Sequence, residues 1–143
     1  MTRQKFRVWD TQSNTFLKPN DPSDEGRSQP WILITLFGEV ITGADNQGAF
    51  VNKNQSDYVI QQNTFIKDKN NQELYEGDIV STPDGDQEDY SNALMIVEYH
   101  YGSWCYREIG RSRAEPIFNY MGSCCKDDEA LIIGNIFENK ELL

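Results

Sequence analysis

The sequence predicts a mainly β fold with small barrel-like antiparallel sheets, SH3-like or OB-like in character, and little helix. Short runs rich in aromatic and β-branched residues recur along the 143-residue chain. Clusters of Gly, Asn, Asp and Pro separate these runs and are typical of turns. No heptad, internal repeat or low-complexity tract is present. The fold class therefore follows from strand-length runs punctuated by turn signals.

The N-terminal part contains two predicted hairpins. Lys5–Trp9 alternates charged and bulky residues, which predicts a half-buried strand, and Thr15–Leu17 returns beside it. Trp31–Phe37 is a continuous apolar run before Gly38, and its length and β-branched content predict a buried strand. The segment 39–51 then predicts a further strand with a short return.

The central stretch Tyr58–Val80 carries the densest structural signals. Its first apolar run predicts a strand, and the polar segment 67–72 predicts a turn in which Asn71 tolerates a left-handed backbone. Glu76-Gly77-Asp78 predicts a second tight turn, with Gly77 supplying backbone freedom. The charged residues of the stretch alternate in sign, so we expect them to pair with each other or face water: Lys67, Asp68, Lys69, Glu76 and Asp78.

The C-terminal part predicts a three-stranded meander and a final strand. The meander comprises Asp78–Ser81, Leu94–Tyr101 and Trp104–Glu108. Ala130–Phe137 is the final strand, in which Gly134 predicts a bulge or a close backbone approach. Asn139 is positioned to cap a last helical turn.

Length predicts a single domain, 1–143, divided into an N-terminal β part, 1–57, and a C-terminal barrel-like part, 58–143. The formal net charge of −10 gives an acidic surface that repels phosphate backbones, which makes nucleic acid an unfavourable partner. An acidic fold that mimics DNA and occupies the groove of a DNA-binding protein stays open as an alternative.

Cysteine usage and the lack of long apolar segments predict a soluble intracellular protein with no membrane contact. Three cysteines, two of them adjacent, form a poor disulfide framework. The N-terminus lacks the apolar core of a signal peptide, and the longest apolar run has seven residues, against the roughly 20 that a membrane helix needs.

The catalytic and metal-binding signals are weak. The acidic loop resembles a calcium loop in composition but lacks its ligand spacing, so a solvated hairpin tip is the favoured interpretation of Asp84, Asp86, Glu88 and Asp89. No nucleophile motif accompanies His100, so we expect this histidine at the surface or rim of the fold. Cys124 and Cys125 are flanked by acidic residues that disfavour a thiolate. We predict no cofactor, no metal and no catalytic residue.

One constellation of aromatic and basic residues is a candidate binding surface. On a small barrel, exposed aromatic rings stack bases while arginines contact phosphates. The alternative is that the rings alternate between a core and a subunit interface, which the acidic net charge favours. The candidate residues are Tyr99, Tyr101, Trp104, Arg107, Arg111 and Arg113.

Three segments together resemble the YopX family of small phage and prophage proteins: Lys5–Asp10, Phe65–Val80 and Ile133–Leu143. The segments occur in the family's order and span the whole chain. The family commonly has Gly where this chain has Phe65 and Asn71, and Pro at the position of Lys140.

The resemblance implies a mostly β fold with barrel-like sheets and a tendency to form homo-oligomers. It implies no established activity, and it transfers no catalytic or binding residue. We therefore predict a non-enzymatic phage or prophage accessory protein of the host bacterial cytoplasm, a homo-oligomer that binds a host or phage macromolecule. The alternatives are a nucleic-acid-associated barrel, an acidic DNA mimic, and an enzyme of unrecognised type.

Overall fold

The computed structural model describes residues 4–17, 30–44, 50–51, 55–83, 92–110, 118–120 and 130–143. The predicted fold class is confirmed, because the described part of the structure is mostly β and its strands form antiparallel sheets. Within the described residues, helix is limited to two 3₁₀ turns, Gln55–Asp57 and Lys140–Leu142. No helix in these ranges has the length and apolar character needed to cross a membrane.

The chain separates into two compact units. The N-terminal unit comprises Arg7–Ile60, and the C-terminal unit comprises Gln61–Leu143 together with Met1–Phe6. Each unit has its own cluster of buried apolar side chains. The sequence-based division between residues 57 and 58 stays a prediction.

The described residues of the N-terminal unit form five short strands and the first part of a sixth. A cluster of Val8, Val40 and Tyr58 forms its core, with half-buried aliphatic side chains packed around it. β2 pairs with β1, which lies beside the first part of β6, and β3, β4 and β5 form a separate antiparallel sheet in that order. The strands are β1 (Phe6–Asp10), β2 (Thr15–Phe16), β3 (Pro30–Ile34), β4 (Val40–Ala44) and β5 (Phe50–Val51).

The first hairpin forms as predicted. Trp9 lies opposite Phe16, and their rings meet edge to face at 5.0 Å. The carboxylate of Asp10 accepts hydrogen bonds from the backbone N–H groups of Gln12 and Ser13 at 2.9 and 3.3 Å, which fixes the turn between the strands.

The predicted buried strand Trp31–Phe37 ends earlier than the sequence suggests. β3 stops at Ile34, and Thr35 starts the turn to β4. The hydroxyl of Thr35 accepts hydrogen bonds from the N–H groups of Phe37 and Glu39 at 3.3 and 3.1 Å. These hydrogen bonds hold the backbone after Ile34 in a turn, so the strand ends there. The expectation that Leu36 and Phe37 are buried is therefore wrong.

The C-terminal unit contains a five-stranded antiparallel sheet in the order β11-β10-β9-β8-β12. The predicted meander is confirmed, because β8 pairs with β9 and β9 with β10. β7 pairs with the second part of β6. The strands are β6 (Tyr58–Lys67), β7 (Glu73–Tyr75), β8 (Asp78–Pro83), β9 (Asn92–His100), β10 (Ser103–Glu108), β11 (Phe118–Tyr120) and β12 (Leu131–Asn135).

The main cluster of buried apolar side chains in this unit includes residues from one face of the sheet. Leu74, Val80, Val97, Tyr106 and Ala130 are almost completely buried together. Partly buried side chains extend the cluster: Ile66, Ala93, Trp104 and Ile132.

Asn135 joins the turn at Gly77 to the end of β12. Its side-chain amide donates to the carbonyl of Gly77 at 3.0 Å and to Gln61 Oε1 and Asp78 Oδ1 at 3.2 Å each. The N–H of Ile136 also donates to the carbonyl of Gly77, at 3.0 Å. These groups are buried, so the hydrogen bonds replace contacts that water would otherwise make.

Asp68 and Asp78 do not face water as the alternation of charge suggested. Asp68 Oδ1 accepts from the N–H groups of Asn70 and Gln72 at 2.9 Å each, and its Oδ2 accepts from the N–H of Ile132 at 3.2 Å. Asp78 Oδ2 accepts from the N–H of Tyr75 at 2.8 Å. Both carboxylates are buried, at 5% and 1% exposure, and organise turns through backbone amides.

The end of β12 confirms one prediction and corrects another. The register shifts between Ile132 and Gly134, which is the predicted bulge. A Cβ atom on Gly134 would lie 2.6 Å from Asn139 Oδ1, so the backbone approach is close. Asn139 does not cap the last 3₁₀ turn through its side chain. Its Oδ1 accepts instead from the N–H of Asn135 at 3.1 Å.

Phe65 lies at an irregular position of β6, where the pairing with β7 is interrupted. The strand register shifts between Asn63 and Lys67, and Phe65 has a φ of +64°. A left-handed backbone costs a residue with a Cβ about 1–2 kcal/mol. Phe65 and Asn71 are the two positions at which the family that this chain resembles commonly has Gly. Asn71 also has a φ of +64°.

Replacing Phe65 with asparagine is expected to raise the free energy of unfolding by about 0.5–1 kcal/mol, because asparagine adopts the left-handed region more readily. The ring is 46% exposed, so its removal costs little packing. Urea unfolding of both proteins at equal concentration measures the difference. A loss of stability would show that packing of the ring outweighs the backbone strain.

Candidate functional site

The hairpin of β9 and β10 carries the aromatic residues of the predicted binding surface. Tyr99 lies opposite Trp104, and their rings meet edge to face at 5.1 Å. Tyr101 and Gly102 both have positive φ, +46° and +85°, as a two-residue type I′ turn requires. Tyr99 and Tyr101 are 59% and 89% exposed. The hairpin therefore presents two accessible tyrosines at and beside its tip.

The arginine of this hairpin lies on the other face of the sheet. Side chains alternate between faces along a strand, and the pairing of β10 with β9 runs without a shift from Ser103 to Glu108. Trp104 packs against the core, whereas Arg107, three residues later, projects from the opposite face.

Arg107 is engaged by an acidic neighbour on its own face. Its Nε and Nη2 donate to Glu98 Oε1 at 2.9 and 2.7 Å. The structure thus brings Tyr99 and Trp104 together and separates Arg107 from them. Arg111 and Arg113 lie outside the described residues. Binding of nucleic acid by the whole set stays a prediction.

A recess lies on the face that carries Arg107. It has a volume of about 350 Å³ and combines apolar walls with one ion pair. Part of its lining comes from the sheet, and the remainder comes from segments that follow β10 and β12. The lining residues are Ile96, Glu98, Arg107, Ile109, Gly110, Ile136 and Leu143.

His100 and Cys105 lie near the hairpin turn without forming a reactive pair. The Cys105 thiol points at the backbone carbonyls of Ser103 and His100, with Sγ···O distances of 3.5 and 3.9 Å. Burial raises the pKa of the Cys105 thiol, and the nearby carboxylate of Glu98 acts in the same direction. The thiol is therefore held in its unreactive protonated form.

Cys105 is expected to resist alkylation by iodoacetamide at mildly alkaline pH in the folded protein and to react fully in urea. Because folding raises this pKa, the thiol's contribution to stability is complete below the ordinary value of 9.0 and is lost as pH rises through the folded-state pKa. Peptide mapping by mass spectrometry reads out the modification. Equal rates in the folded and unfolded chain would contradict the buried position.

A polar cluster surrounds Glu73 in the C-terminal unit. Lys5 donates to Glu73 Oε1, and this hydrogen bond lowers the pKa of the Glu73 carboxyl and raises the pKa of Lys5. Glu73 Oε2 accepts from Asn63 Nδ2 at 3.1 Å and from the Tyr75 hydroxyl at 3.4 Å. Both partners of the ion pair are solvent-accessible, so salt screens it, and the cluster fixes β7 beside β6.

Of the side chains that the structure describes, no three from His, Cys, Asp and Glu come together as metal ligands. The acidic loop that contains Asp84, Asp86, Glu88 and Asp89 lies outside the described residues. So do Cys124 and Cys125.

Among the residues that the structure describes, the most exposed large apolar side chains lie where the sequence predicted a core. Leu36 and Phe37 are 103% and 91% exposed at the end of the β3–β4 hairpin, and we refer to them as the apolar tip. The turn beneath them is closed by hydrogen bonds from the N–H of Thr35 to the carbonyl of Glu39 and from the N–H of Gly38 to the carbonyl of Thr35, at 2.9 and 3.0 Å. The apolar tip is thus held outward by a hydrogen-bonded turn.

The signal for the apolar tip is present in the sequence, although the run of apolar residues hides it. Thr35 interrupts the run with a hydroxyl that bonds backbone amides, and Gly38 has the positive φ, +79°, that a tight turn needs. Both residues flank the apolar tip directly.

Comparisons with known proteins identify a family and a fold. The model of the YopX family, described as YopX protein, matches residues 5–143. Protein EF1440 from Enterococcus faecalis has a similar crystal structure, with a TM-score of 0.54 and 25% identity over 100% of this chain and 99% of that one. Protein yopX from Bacillus subtilis has a similar fold, with a TM-score of 0.57 and 17% identity over 96% of each chain. No curated protein matches the sequence.

Proposed function

Because this chain belongs to the YopX protein family, we propose that it is a phage or prophage accessory protein of the host bacterial cytoplasm that acts by binding and has no enzymatic activity. Its partners are further copies of itself and a host or phage macromolecule. The resemblance of its three signature segments to phage and prophage proteins supports the first part. The apolar tip is the observation that supports binding through assembly.

The apolar tip is suited to burial in a protein contact. Two adjacent large apolar side chains project fully into solvent from a hydrogen-bonded turn, so little ordering is needed when a partner covers them. Burying one Leu or Phe side chain contributes about 1.5–3 kcal/mol. A symmetric contact that buries two tips therefore gains about 6–12 kcal/mol before the cost of association.

A second copy of the chain is the occupant that the sheet beside the apolar tip favours. In the described part of the chain, β3 lies at the edge of the β3-β4-β5 sheet, directly before the tip. The open edge of a strand pairs readily with an identical antiparallel strand across a two-fold axis. Antiparallel pairing of β3 with β3 of a second copy would place each apolar tip beside the start of the partner's β3, so the two tips would lie at opposite ends of one interface.

The net charge sets the salt dependence of this assembly. With a formal charge of −10, two copies repel each other, and added salt screens the repulsion. Association of the chain with itself is therefore expected to strengthen as salt is raised. Binding to a nucleic acid would show the opposite dependence.

Multi-angle light scattering tests the proposal. The unmodified chain is expected to form an oligomer, and a variant with Leu36→Ser and Phe37→Ser is expected to be monomeric, because the tips no longer contribute apolar burial. The matched control is Phe65→Asn, which removes an exposed aromatic ring from β6 and is expected to leave the oligomer intact. A strictly monomeric unmodified chain at moderate salt would refute self-assembly. An oligomer that survives the loss of both tip side chains would refute the role of the tip.

A further inference from the structure

The recess beside Glu98 is large enough for a small aromatic molecule. Its volume of about 350 Å³ exceeds that of a cavity of about 150 Å³ known to accommodate benzene. It also falls within the range of about 300–1,000 Å³ that is usual for small-ligand sites. Ile96, Ile109 and Ile136 provide aliphatic contact surface for a flat ring.

The ion pair in the recess uses only one of the two carboxylate oxygens of Glu98. Arg107 directs both Nε and Nη2 at a single carboxylate oxygen, Glu98 Oε1. In the described portion of the chain, no hydrogen bond reaches Arg107 Nη1 or Glu98 Oε2. A paired guanidinium has N–H groups to donate, and a paired carboxylate has lone pairs to accept. The recess thus offers a donor and an acceptor beside apolar walls.

The charge balance of the pair determines which ligand fits. An anionic ligand would compete with Glu98 for Arg107 and leave a partly buried carboxylate unpaired, and the acidic protein would repel it. A cationic ligand would compete with Arg107 for Glu98 and leave the guanidinium of Arg107 unpaired. A neutral ligand that carries an acceptor and a donor together can bond to the remaining N–H groups of Arg107 and to Glu98 Oε2, and it leaves the ion pair intact.

We propose that this recess is a binding site for a neutral aromatic compound bearing an amide group. The amide oxygen accepts from Arg107, the amide N–H donates to Glu98, and the ring lies against the isoleucines. The site is separate from the proposed assembly, which depends on the apolar tip.

Three probes of nearly equal size test the ligand class: benzamide, benzoate and benzylamine. In ¹H–¹⁵N correlation spectra of the full chain, benzamide is expected to shift the backbone amides of Ile96, Arg107 and Ile109 saturably. The expected dissociation constant is on the order of 1 mM, since a ligand with few atoms gains little binding energy. Benzoate and benzylamine are expected to bind several-fold more weakly. The absence of saturable shifts with benzamide, or equal or tighter binding of either charged probe, would overturn the proposal.

Arg107→Lys tests the role of the guanidinium. Lysine preserves the charge that pairs with Glu98 but lacks the planar fork that supplies the second donor. We expect about tenfold weaker benzamide binding, which corresponds to the loss of one hydrogen bond to a charged group. The matched control is Arg7→Lys, which changes an arginine that stacks on Phe16 and is expected to leave binding unchanged. Unchanged binding by Arg107→Lys, or equal loss in the control, would overturn the assignment.

Discussion

Replacing Gly77 with alanine is expected to lower the free energy of unfolding by at least about 3 kcal/mol. A Cβ atom at this position would lie 2.2 Å from Gln61 Nε2 and 3.1 Å from Ile136 Cδ1. The side chain of Gln61 is buried and held by Asn135, so it cannot move aside cheaply. The φ of +77° adds the strain of a left-handed backbone.

Gly102→Ala is the control for this substitution. Gly102 has a similar φ of +85°, but a Cβ atom there would meet nothing within 4 Å. Its replacement is expected to cost only the backbone strain, about 1–2 kcal/mol. Chemical denaturation of both variants separates steric clash from strain. An equal loss of stability in the two variants would show that close packing at Gly77 adds nothing to the cost of the substitution.

Replacing Asn135 with alanine is expected to lower the free energy of unfolding by about 2–4 kcal/mol. The substitution removes three hydrogen bonds that the side-chain amide donates and one, from the N–H of Phe137, that its oxygen accepts at 3.1 Å. The carbonyl of Gly77 and the carboxylate of Asp78 would each lose a buried donor. Thermal and urea unfolding measure the effect.

Asn70→Ala provides the comparison for Asn135. Asn70 lies exposed in the turn between β6 and β7, where its backbone N–H donates to Asp68. Its replacement is expected to change stability by no more than about 0.5 kcal/mol. If Asn135→Ala lost as little stability as this control, the buried hydrogen bonds would not stabilise the contact between the end of β12 and the turn at Gly77.

These interactions assign a structural role to two of the segments that carry the family resemblance. Gly77 and Asp78 lie in the middle segment, and Asn135 lies in the last one. Their side chains and backbone bond to each other in the buried interior of the C-terminal unit. These parts of the signature segments therefore stabilise the fold of the C-terminal unit.

Local signals were sufficient to predict most strands and turns. Strict alternation located β1, and Gly77 and Asn71 have the positive φ values that their turn positions suggested. The meander of β8, β9 and β10 was predicted from three apolar runs that are separated by turn-forming residues. Each of these features depends on residues close together in the chain, which is why sequence patterns capture them.

Features that depend on distant partners were missed. Buried Asp68 accepts a hydrogen bond from the N–H of Ile132, which is 64 residues away in the chain. A local charge pattern cannot predict such a distant partner. The alternation of Lys67, Asp68 and Lys69 suggested a solvated turn instead. In the same way, the recess combines side chains from Ile96 to Leu143, and only the folded sheet brings them together.

The hairpin that carries part of the candidate binding surface was predicted, and binding by these residues stays a prediction. The cross-strand pair of Tyr99 and Trp104 follows from a short hairpin, and the structure contains it. Strand alternation places Arg107 on the opposite face, which a count of three residues from Trp104 would have indicated. The apolar tip was assigned to a core because six apolar residues in a run of seven outweighed the two turn signals of Thr35 and Gly38.

The central claim is that assembly of the chain buries the apolar tip, and hydroxyl-radical footprinting at increasing protein concentration tests it directly. Oxidation of Leu36 and Phe37, read by mass spectrometry, is expected to slow several-fold as the chain is concentrated, while oxidation of Phe65 stays constant. Mass action drives the association, so the protection should follow the oligomer fraction. Oxidation of the apolar tip at an unchanged rate while the particle mass rises would contradict the claim.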